Sequence, residues 1–326
     1  MQVVAVAREA RWWRMVVVAC VSAACAWTVA ACRSTAAEAR HSYSRLAMGC
    51  EARIVLYARD ADAATRAAEA AFARIEAVEA ALSDWREDSE VARLQRAAGL
   101  GPQAAGADLR GCLERAVELA RATDGACDPT IGALTQAWRR ARREQRAPTP
   151  EELEQARALV GLRHLVLHAD GRIELATPGV RLDFGAIGKG WACDRALETL
   201  ASHGIESALV EIGGDLACGA PPPGRAGWLV GAGNGADDED ARFVVAHRGV
   251  ATSGDDHQGF VLDGRRRSHI VRPSDGEALV DTRRATVVAR TGADADALAT
   301  IVELLGPEAA RELLARLQAA VHLQAP

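Results

Sequence analysis

A glycine-rich stretch, DFGAIGKGWACD at 183–194, contains Lys189, which is the only lysine in the chain. The stretch predicts a strand at 180–184 that turns through a tight loop into a helix ending at Gly204. Exposed amides at a helix N-terminus bind anions, and a lysine there adds a compact positive charge. It is not a Walker A motif, because Gly190 stands where a magnesium-binding Ser or Thr is required. The alternative is a tight turn with a surface lysine.

A second candidate, TGADADALAT at 291–300, predicts a helix on which Asp296 and Thr300 lie one turn apart. A carboxylate and a hydroxyl form a hard oxygen pair that suits Mg²⁺, with backbone carbonyls, water and phosphate completing the shell. Gly306 and Pro307 predict the end of this helix. The alternative is an ordinary polar helix face.

Three further clusters carry weaker signals when each is taken alone. His269 follows three arginines within a predicted strand at 268–271, and a lone histidine is commonly structural. The segments ACDPTIG at 126–132 and EIGGDLACG at 211–219 each predict a turn. None of the three identifies a reaction by itself.

Helices dominate the first half of the body that must position these clusters. Apolar residues at three- and four-residue steps predict helices at 62–82 and 108–123. A capping box at Thr149 predicts a third helix that stops at Gly161. The arginine-rich stretch 139–146 before it is interpreted as a solvated face.

Short strands dominate after Gly161, where glycine turns separate alternating segments. Strands are predicted at 165–167, 172–176, 207–212, 228–232, 242–246, 259–262, 268–271 and 285–289. Two helices interrupt them, one after Lys189 and one at about 293–305. Long helices combined with hairpin-linked strands predict an α+β fold with mostly antiparallel sheets and packed helices, rather than a doubly wound parallel sheet.

Composition limits the functional classes. The chain has 326 residues, of which 49% are apolar and 25% charged, as in ordinary globular proteins. A net charge of −5 argues against a nucleic-acid partner, which would require a basic face. Five cysteines lie beyond the N-terminal leader without a CxxC motif, so a zinc site is disfavoured and one disulfide, of undetermined pairing, remains an option. They are Cys50, Cys112, Cys127, Cys193 and Cys218.

The N-terminus predicts export. Arginines precede an apolar run at 15–31, and the run ends in VAAC at 29–32, which is typical of a bacterial lipobox. We therefore expect a signal peptide at 1–32, lipidation at Cys32 and a membrane-anchored protein on the periplasmic side. A plain secretory signal or an uncleaved anchor are the alternatives, and both also place the body outside the cytoplasm. Residues 33–43 are interpreted as a tether and 44–326 as the catalytic domain.

Taken together and in this order, the motifs resemble the ApbE-type FAD:protein FMN transferase family from about residue 44 to 317. MGC at 48–50, LSDWREDSEVARL at 82–94, ACDPTIGAL, DFGAIGKGWACD, EIGGD, ATSGD, SHI and DADALAT follow the family order. The resemblance implies an ApbE-like, T-fold-like α+β fold around an FAD cleft. It also implies transfer of FMN from FAD to a Thr or Ser hydroxyl of a target protein, with Mg²⁺ required and AMP released.

The resemblance assigns roles to single positions. His269 falls on the histidine considered catalytic. Asp296 and Thr300 fall on side-chain Mg²⁺ ligands, and Ala186 on a ligand that acts through its backbone carbonyl. The positions that fall on FAD contacts are Met48, Trp85, Ala126, Cys127, Asp128, Asp183, Lys189 and Ile270.

Three departures from the family pattern concern specificity more than reaction class. Trp85 replaces the usual tyrosine, which keeps a stacking surface but changes its polar tip. Asp256 stands where an aromatic residue is frequent, and 271–273 lacks the usual Asp before proline. Two other functions use the same residues: an Mg²⁺-dependent FAD hydrolase giving FMN and AMP, and a non-catalytic FAD-binding lipoprotein. The acceptor expected from this interpretation is a membrane or periplasmic redox protein.

Overall fold

The structure is a computed structural model that describes residues 37–232, 242–254, 259–262, 264–280 and 284–324. The predicted signal peptide, the lipobox cysteine Cys32 and Asp256 lie outside the described residues. The described body begins with a strand at Ala39, so residues 39–43 of the expected tether belong to the folded sheet.

The described residues form strands and helices that we number in chain order. They are β1 (Ala39–Ala47), β2 (Cys50–Ala58), α1 (Ala61–Leu82), α2 (Glu90–Arg96), α3 (Ala107–Ala122), α4 (Gly132–Glu144), α5 (Pro150–Ala158), a 3₁₀ turn (Leu162–His164), β3 (Leu165–Leu167), β4 (Ile173–Leu175), α6 (Gly188–Ser202), β5 (Ala208–Ile212), β6 (Asp215–Cys218), β7 (Trp228–Gly231), β8 (Arg242–Val245), β9 (Arg248–Ser253), β10 (Phe260–Leu262), β11 (Arg265–Arg267), β12 (Arg284–Ala289), α7 (Gly292–Leu305), α8 (Pro307–Arg316) and β13 (Ala320–Gln324).

A seven-stranded sheet in the order β1-β2-β5-β6-β9-β12-β13 forms the centre of the fold. Every neighbouring pair in it is antiparallel. Three two-stranded sheets, β3-β4, β7-β8 and β10-β11, lie outside it. The prediction of an α+β fold with mostly antiparallel sheets is therefore confirmed.

Helices α1, α6 and α7 cover one face of the sheet. Alternating residues of β2, including Ile54 and Leu56, are fully buried on that face against the apolar side of α1. On the opposite face, Val55 packs with Trp228 of β7 and Val245 of β8. Because α6 and α7 pack on the same sheet and on each other, their first turns lie close together.

Local sequence explains where the predicted helices begin. The side chain of Asp60 accepts hydrogen bonds from the amides of Asp62 and Ala63, which starts α1. Thr149 and Glu152 form the expected capping box at α5. Predicted and observed bounds of these helices agree within three residues, because caps and apolar periodicity are both local signals.

Two predicted strands are wrong. The segment 180–184 is extended, but its pairing is limited to one bridge between Arg181 and Ile131, because it runs beside a loop rather than a strand. The segment 268–271 likewise pairs only with the short return at 278–279, through Ser268, Ile270 and Val271. Both segments are connections that lead into the candidate site.

Candidate active site

Lys189 lies in the first turn of α6 and faces two acids. Its Nζ forms an ion pair with Asp215 Oδ2, and it lies 3.8 Å from Asp296 Oδ1. Asp215 comes from the start of β6, and Asp296 from α7. We call Lys189, Asp215 and Asp296 the inner cluster.

The two acids of the inner cluster are buried and Lys189 is half-buried, and the pKa values of all three are shifted from their ordinary values. Burial, reinforced by the charge of Asp296, raises the pKa of Asp215 to about 7 despite the opposing effect of Lys189. Burial also raises the pKa of Asp296, again against Lys189. Burial alone would lower the pKa of Lys189, but the two carboxylates outweigh it and raise the pKa. One ammonium thus faces two carboxylates, and a further cation is electrostatically favourable there.

Glycines bring α6 and α7 into contact at this point. A Cβ on Gly190 would lie 2.1 Å from the carbonyl oxygen of Gly292, and a Cβ on Gly292 would lie 2.7 Å from that of Gly190. The amide of Gly190 donates to Asp296 Oδ2 at 3.1 Å. The backbones of α6 and α7 are in direct contact at Gly190, so any side chain there would separate the two helices. This packing explains why a glycine occupies the position at which a Walker A motif has Ser or Thr.

A second acid fixes the start of α7. Asp194 of α6 accepts hydrogen bonds from the amides of Gly292 at 2.7 Å and Ala293 at 2.9 Å. Burial raises the pKa of Asp194 to about 6, although these two bonds oppose that shift. The two helices are thus crosslinked by carboxylate-to-amide bonds in both directions.

The three predicted metal ligands lie on the two elements that meet at this junction, the turn before α6 and helix α7. Ala186 lies in the turn that precedes α6, Asp296 is buried, and Thr300 is half-buried one turn further along α7. Within the described ranges, no group of three or more His, Cys, Asp or Glu side chains forms a metal site. A site here therefore depends on the mixed set of carboxylate, hydroxyl and carbonyl oxygens, which is the hard donor chemistry that Mg²⁺ prefers.

The predicted contacts at 126–128 lie on a loop beside the same region. Asp128 Oδ1 accepts from the amide and the hydroxyl of Thr130, at 2.8 and 2.6 Å, so its side chain shapes the loop itself. Burial raises the pKa of the Cys127 thiol to about 12, with smaller effects from nearby carboxylates that include Asp296. Ala126 is half-buried next to it. The loop is therefore close enough to Asp296 for that carboxylate to influence the Cys127 thiol.

Asp183 holds the turn that leads to Lys189. Its Oδ1 accepts from the amide of Gly185 at 2.7 Å, and its Oδ2 accepts from the Thr135 hydroxyl at 2.7 Å and from Arg139 at 3.0 Å. The guanidinium of Arg139 also pairs with Asp84 and lies 4.3 Å above the ring of Trp85. The interpretation of 139–146 as a solvated face is therefore wrong for its first residue, because Arg139 points inward from α4.

The remaining predicted site residues, Met48, His269 and Ile270, lie on connections outside α6 and α7. Met48 has φ 52° in the turn between β1 and β2, and its amide donates to Glu79 Oε2 at 2.9 Å. Ile270 is buried, and its amide donates to Ser268 Oγ at 3.0 Å. His269, between these two buried residues, is exposed.

The segment that carries His269 is fixed to α4. Val271 packs in one apolar cluster with Leu134 and Trp138 of that helix. The indole of Trp138 donates to the carbonyl of Gly276 at 2.7 Å. His269 therefore projects from a connection anchored on α4, whereas Lys189 and Asp296 are held by α6 and α7.

Comparison with known proteins decides the family. A family model described as the ApbE family matches residues 48–323. The chain belongs to the ApbE family. It is 32% identical over 322 residues to a FAD:protein FMN transferase of Treponema pallidum, covering 93% of this chain and 88% of that protein.

Solved ApbE structures resemble this one over most of the chain. The flavin transferase ApbE from Vibrio cholerae has a TM-score of 0.76 at 26% identity, covering 88% of this chain and 94% of that chain. The apo form of the Pseudomonas stutzeri flavinyl transferase ApbE has a TM-score of 0.77 at 27% identity, covering 89% of this chain and 92% of that chain.

Within this ApbE-family chain, three polar residues of the site were missed by the site predictions. Asp215 belongs to the quoted EIGGD segment, where the carboxylate was a detectable signal. Asp194 ends the quoted DFGAIGKGWACD, but its role as a cap depends on α7, about 100 residues away in sequence. Arg139 gave no signal at all, because it is one of several consecutive arginine-rich positions.

Two further predictions concern disulfides and membrane-spanning helices. Cys50, Cys112, Cys127, Cys193 and Cys218 are all free thiols, so the disulfide that the sequence allowed does not form among these five. None of the described helices has the length and apolar character needed to cross a membrane.

Proposed function

We propose that this chain is an FAD:protein FMN transferase that attaches FMN to a Thr or Ser hydroxyl of a target protein and releases AMP. The relatives bear that name and align over most of the chain. The observation that carries the proposal is the convergence of Lys189, Asp296 and the turn before α6 at one glycine-lined junction. Such a junction supplies backbone amides and a cation for a pyrophosphate.

FAD would lie between the inner cluster and the exposed side chains of Trp85 and His269. Lys189 and the amides of the turn before α6 face its phosphates, and the compact ammonium suits a turn walled by glycine. Trp85, which is 70% exposed, presents a flat ring on which an aromatic ring of the dinucleotide can stack.

Mg²⁺ would be held by Asp296, Thr300 and the carbonyl of Ala186. The fit rests on the charge of the inner cluster, where two buried carboxylates share one ammonium, and on the hard oxygen donors around it. When bound, Mg²⁺ neutralises negative charge on pyrophosphate oxygens.

His269 would act as the general base. The acceptor oxygen bonds to the phosphorus on the FMN side, the bond from that phosphorus to the bridging oxygen breaks, and AMP leaves with that oxygen. The hydroxyl proton passes to the imidazole of His269. Exposure of His269 is consistent with this role, because a protein acceptor must reach it from outside.

The test is a flavin-fate assay. A strain lacking this protein supplies membrane and periplasmic proteins, to which purified full-length chain, FAD and Mg²⁺ are added. Fluorescent flavin that remains on a protein band after denaturation, with a peptide carrying FMN mass on Thr or Ser, is the expected result. Free FMN and AMP alone would indicate the hydrolase, and intact FAD would indicate a binding protein; either result overturns the proposed transfer.

We also propose lipid anchoring at Cys32 on the periplasmic side. The support is the sequence VAAC after an apolar run, since this region lies outside the described residues. Cys32→Ala should abolish incorporation of a labelled fatty acid and release the body from membranes. Retained label in that variant would contradict the proposal.

A further inference from the structure

Arg139 connects parts of the site that the sequence separates widely. Its guanidinium is bonded to Asp84 and, at 3.0 Å, to Asp183, while its Cζ lies 4.3 Å from the centroid of the Trp85 ring. Asp84 immediately precedes Trp85, whereas Asp183 is bonded to Gly185 in the turn before α6. One side chain of α4 therefore contacts both the Trp85 ring, which we call the platform, and Asp183, which is bonded to the glycine turn before α6.

The two carboxylates around Arg139 need its charge. The side chains of Asp84 and Asp183 are 11% and 8% exposed, so neither is well solvated. Burial, followed by the charge of Asp183, raises the pKa of Asp84, while Arg139 opposes that rise. Without the guanidinium, two partly desolvated acids would face each other directly beneath the platform.

Arg139 also leaves much of the Trp85 ring accessible to a ligand. The guanidinium lies over one face of the Trp85 ring, yet the residue remains 70% exposed, so the ring still presents surface to solvent. In the free protein, a cation already holds the indole on one face. The ring therefore loses less rotational freedom when a ligand stacks on its other face than an unsupported exposed side chain would lose.

We propose that Arg139 is a positioning residue for FAD: it fixes the Trp85 ring as a stacking platform and ties it to the glycine turn that faces the pyrophosphate. The inference rests on the proposed function, because it concerns the same FAD site. The ligand chemistry is a flat fused aromatic ring, either the flavin or the adenine of the dinucleotide. Lysine cannot replace this arginine fully, because only a planar guanidinium can bond two carboxylates while stacking on indole.

The experiment is a double-mutant cycle on the full-length chain, measuring the Kd for FAD by titration calorimetry. Arg139→Gln is expected to raise the Kd about tenfold. In a Trp85→Ala background, the same change should raise it less than about threefold, because the platform is already gone. Arg140→Gln is the matched control: it removes an adjacent arginine of α4 that pairs at 3.7 Å with Glu152 of α5.

A merely structural role for Arg139 predicts different results. Equal effects of Arg139→Gln with and without Trp85 would overturn the proposal, as would a Kd that matches the Arg140→Gln control. Arg139→Lys covers the case in which the glutamine variant does not fold. It keeps a charge, and its expected effect of about threefold on Kd must also disappear in the Trp85→Ala background.

Kinetics and ligand fragments complete the test. Arg139→Gln should raise KM for FAD more than it lowers kcat, because a positioning residue for binding does not touch the reacting phosphorus. The Kd values for FMN and for AMP are measured separately for Arg139→Gln and for the unmodified chain. The fragment whose Kd rises in the variant carries the stacked ring. If neither Kd changes, the proposal is overturned. Absence of FAD binding by the unmodified chain would instead refute the proposed function itself.

Discussion

Asp215 and Asp296 of the inner cluster are buried at the junction of α6 and α7, and Lys189 is half-buried beside them. Trp85 and His269, the outer pair, are exposed. Asp215 and Asp296 are 2% and 5% exposed, against 70% for Trp85. The inner residues are bonded to one another and to helix backbone, so their positions are set by the fold. The outer pair projects from connections whose backbone is fixed but whose side chains face solvent.

This difference separates two kinds of mutational effect. A change in the inner cluster alters helix packing or leaves a buried charge unpaired, so it affects folding and ligand affinity together. A change in the outer pair leaves the core intact, so it affects ligand handling or chemistry alone. Substitutions at His269, Gly190, Lys189 and Asp194 test that separation.

His269→Ala should abolish transfer while sparing both stability and FAD binding. Loss of a general base lowers the rate by about 10² to 10⁴, and an exposed imidazole contributes little to the core. Single-turnover transfer of FMN, FAD titration and urea unfolding on the same preparation measure the three quantities. His203→Ala, an exposed histidine that follows α6, is the control and should behave as the unmodified chain.

Near-normal transfer by the His269→Ala variant would show that another group takes the proton. A large loss of unfolding free energy in that variant would show that the outer pair is structural after all. Either result removes the contrast between the two regions.

Gly190→Ala should strongly destabilise the fold. The new Cβ would lie 2.1 Å from the carbonyl oxygen of Gly292, which is backbone and has little freedom to move. Forced separation of packed helices lowers the free energy of unfolding by about 2 to 3 kcal/mol. Urea unfolding measures it, with Gly231→Ala as control, because a Cβ there meets nothing within 4 Å. Equal stability of the two variants would contradict the close contact of α6 and α7.

Lys189→Arg should weaken FAD binding about tenfold, or 1.4 kcal/mol. The lysine side chain lies between Asp215 and Gly213. The guanidinium of an arginine is larger than the lysine ammonium and cannot reproduce its single contact with Asp215. Fluorescence titration with FAD measures the Kd, and Arg121→Lys on the exposed end of α3 is the reciprocal control. An unchanged Kd would return Lys189 to the alternative of a turn residue without a ligand role.

Elements fixed by local signals were predictable from the sequence. The capping box at Thr149, the apolar stripe of α1 and the glycine-separated strands after Gly161 each depend on neighbouring residues. Strand pairing over long distances is not local. The segment 180–184 has the composition of a strand, but whether it joins a sheet depends on which segment lies beside it, and here that is a loop.

The site divides in the same way. Lys189, Asp296 and His269 are marked by unusual residue types in motif order, which sequence analysis detects. Arg139 and Asp194 take their roles from partners 44 to 99 positions away, such as Asp183 and Ala293. A common residue type whose partner is remote leaves no pattern, so only the folded structure reveals it.

The last prediction is a pH dependence of stability at Asp194, confined to the window between about pH 4 and pH 6. Its folded pKa of about 6 lies above the ordinary value of 3.8, so between these pH values the folded state binds more protons than the unfolded state. Stability contributed by this group is therefore fully present below about pH 4 and is lost as pH rises through about 6. The free-energy difference between the unmodified chain and Asp194→Asn should fall by about 1 to 3 kcal/mol across that window.

Asp60→Asn gives the opposite sign and is the matched control, because Asp60 is also a helix cap but is exposed. Its amide hydrogen bonds from Ala63 and Asp62 lower its pKa, so its contribution is present above pH 4 and is lost as pH falls. Urea unfolding of the three proteins at half-unit steps from pH 3.5 to 7 measures both slopes. If the unfolding free-energy differences for Asp194→Asn and Asp60→Asn changed with pH in the same direction, Asp194 would be solvated like Asp60. The α6–α7 junction would then be open to water.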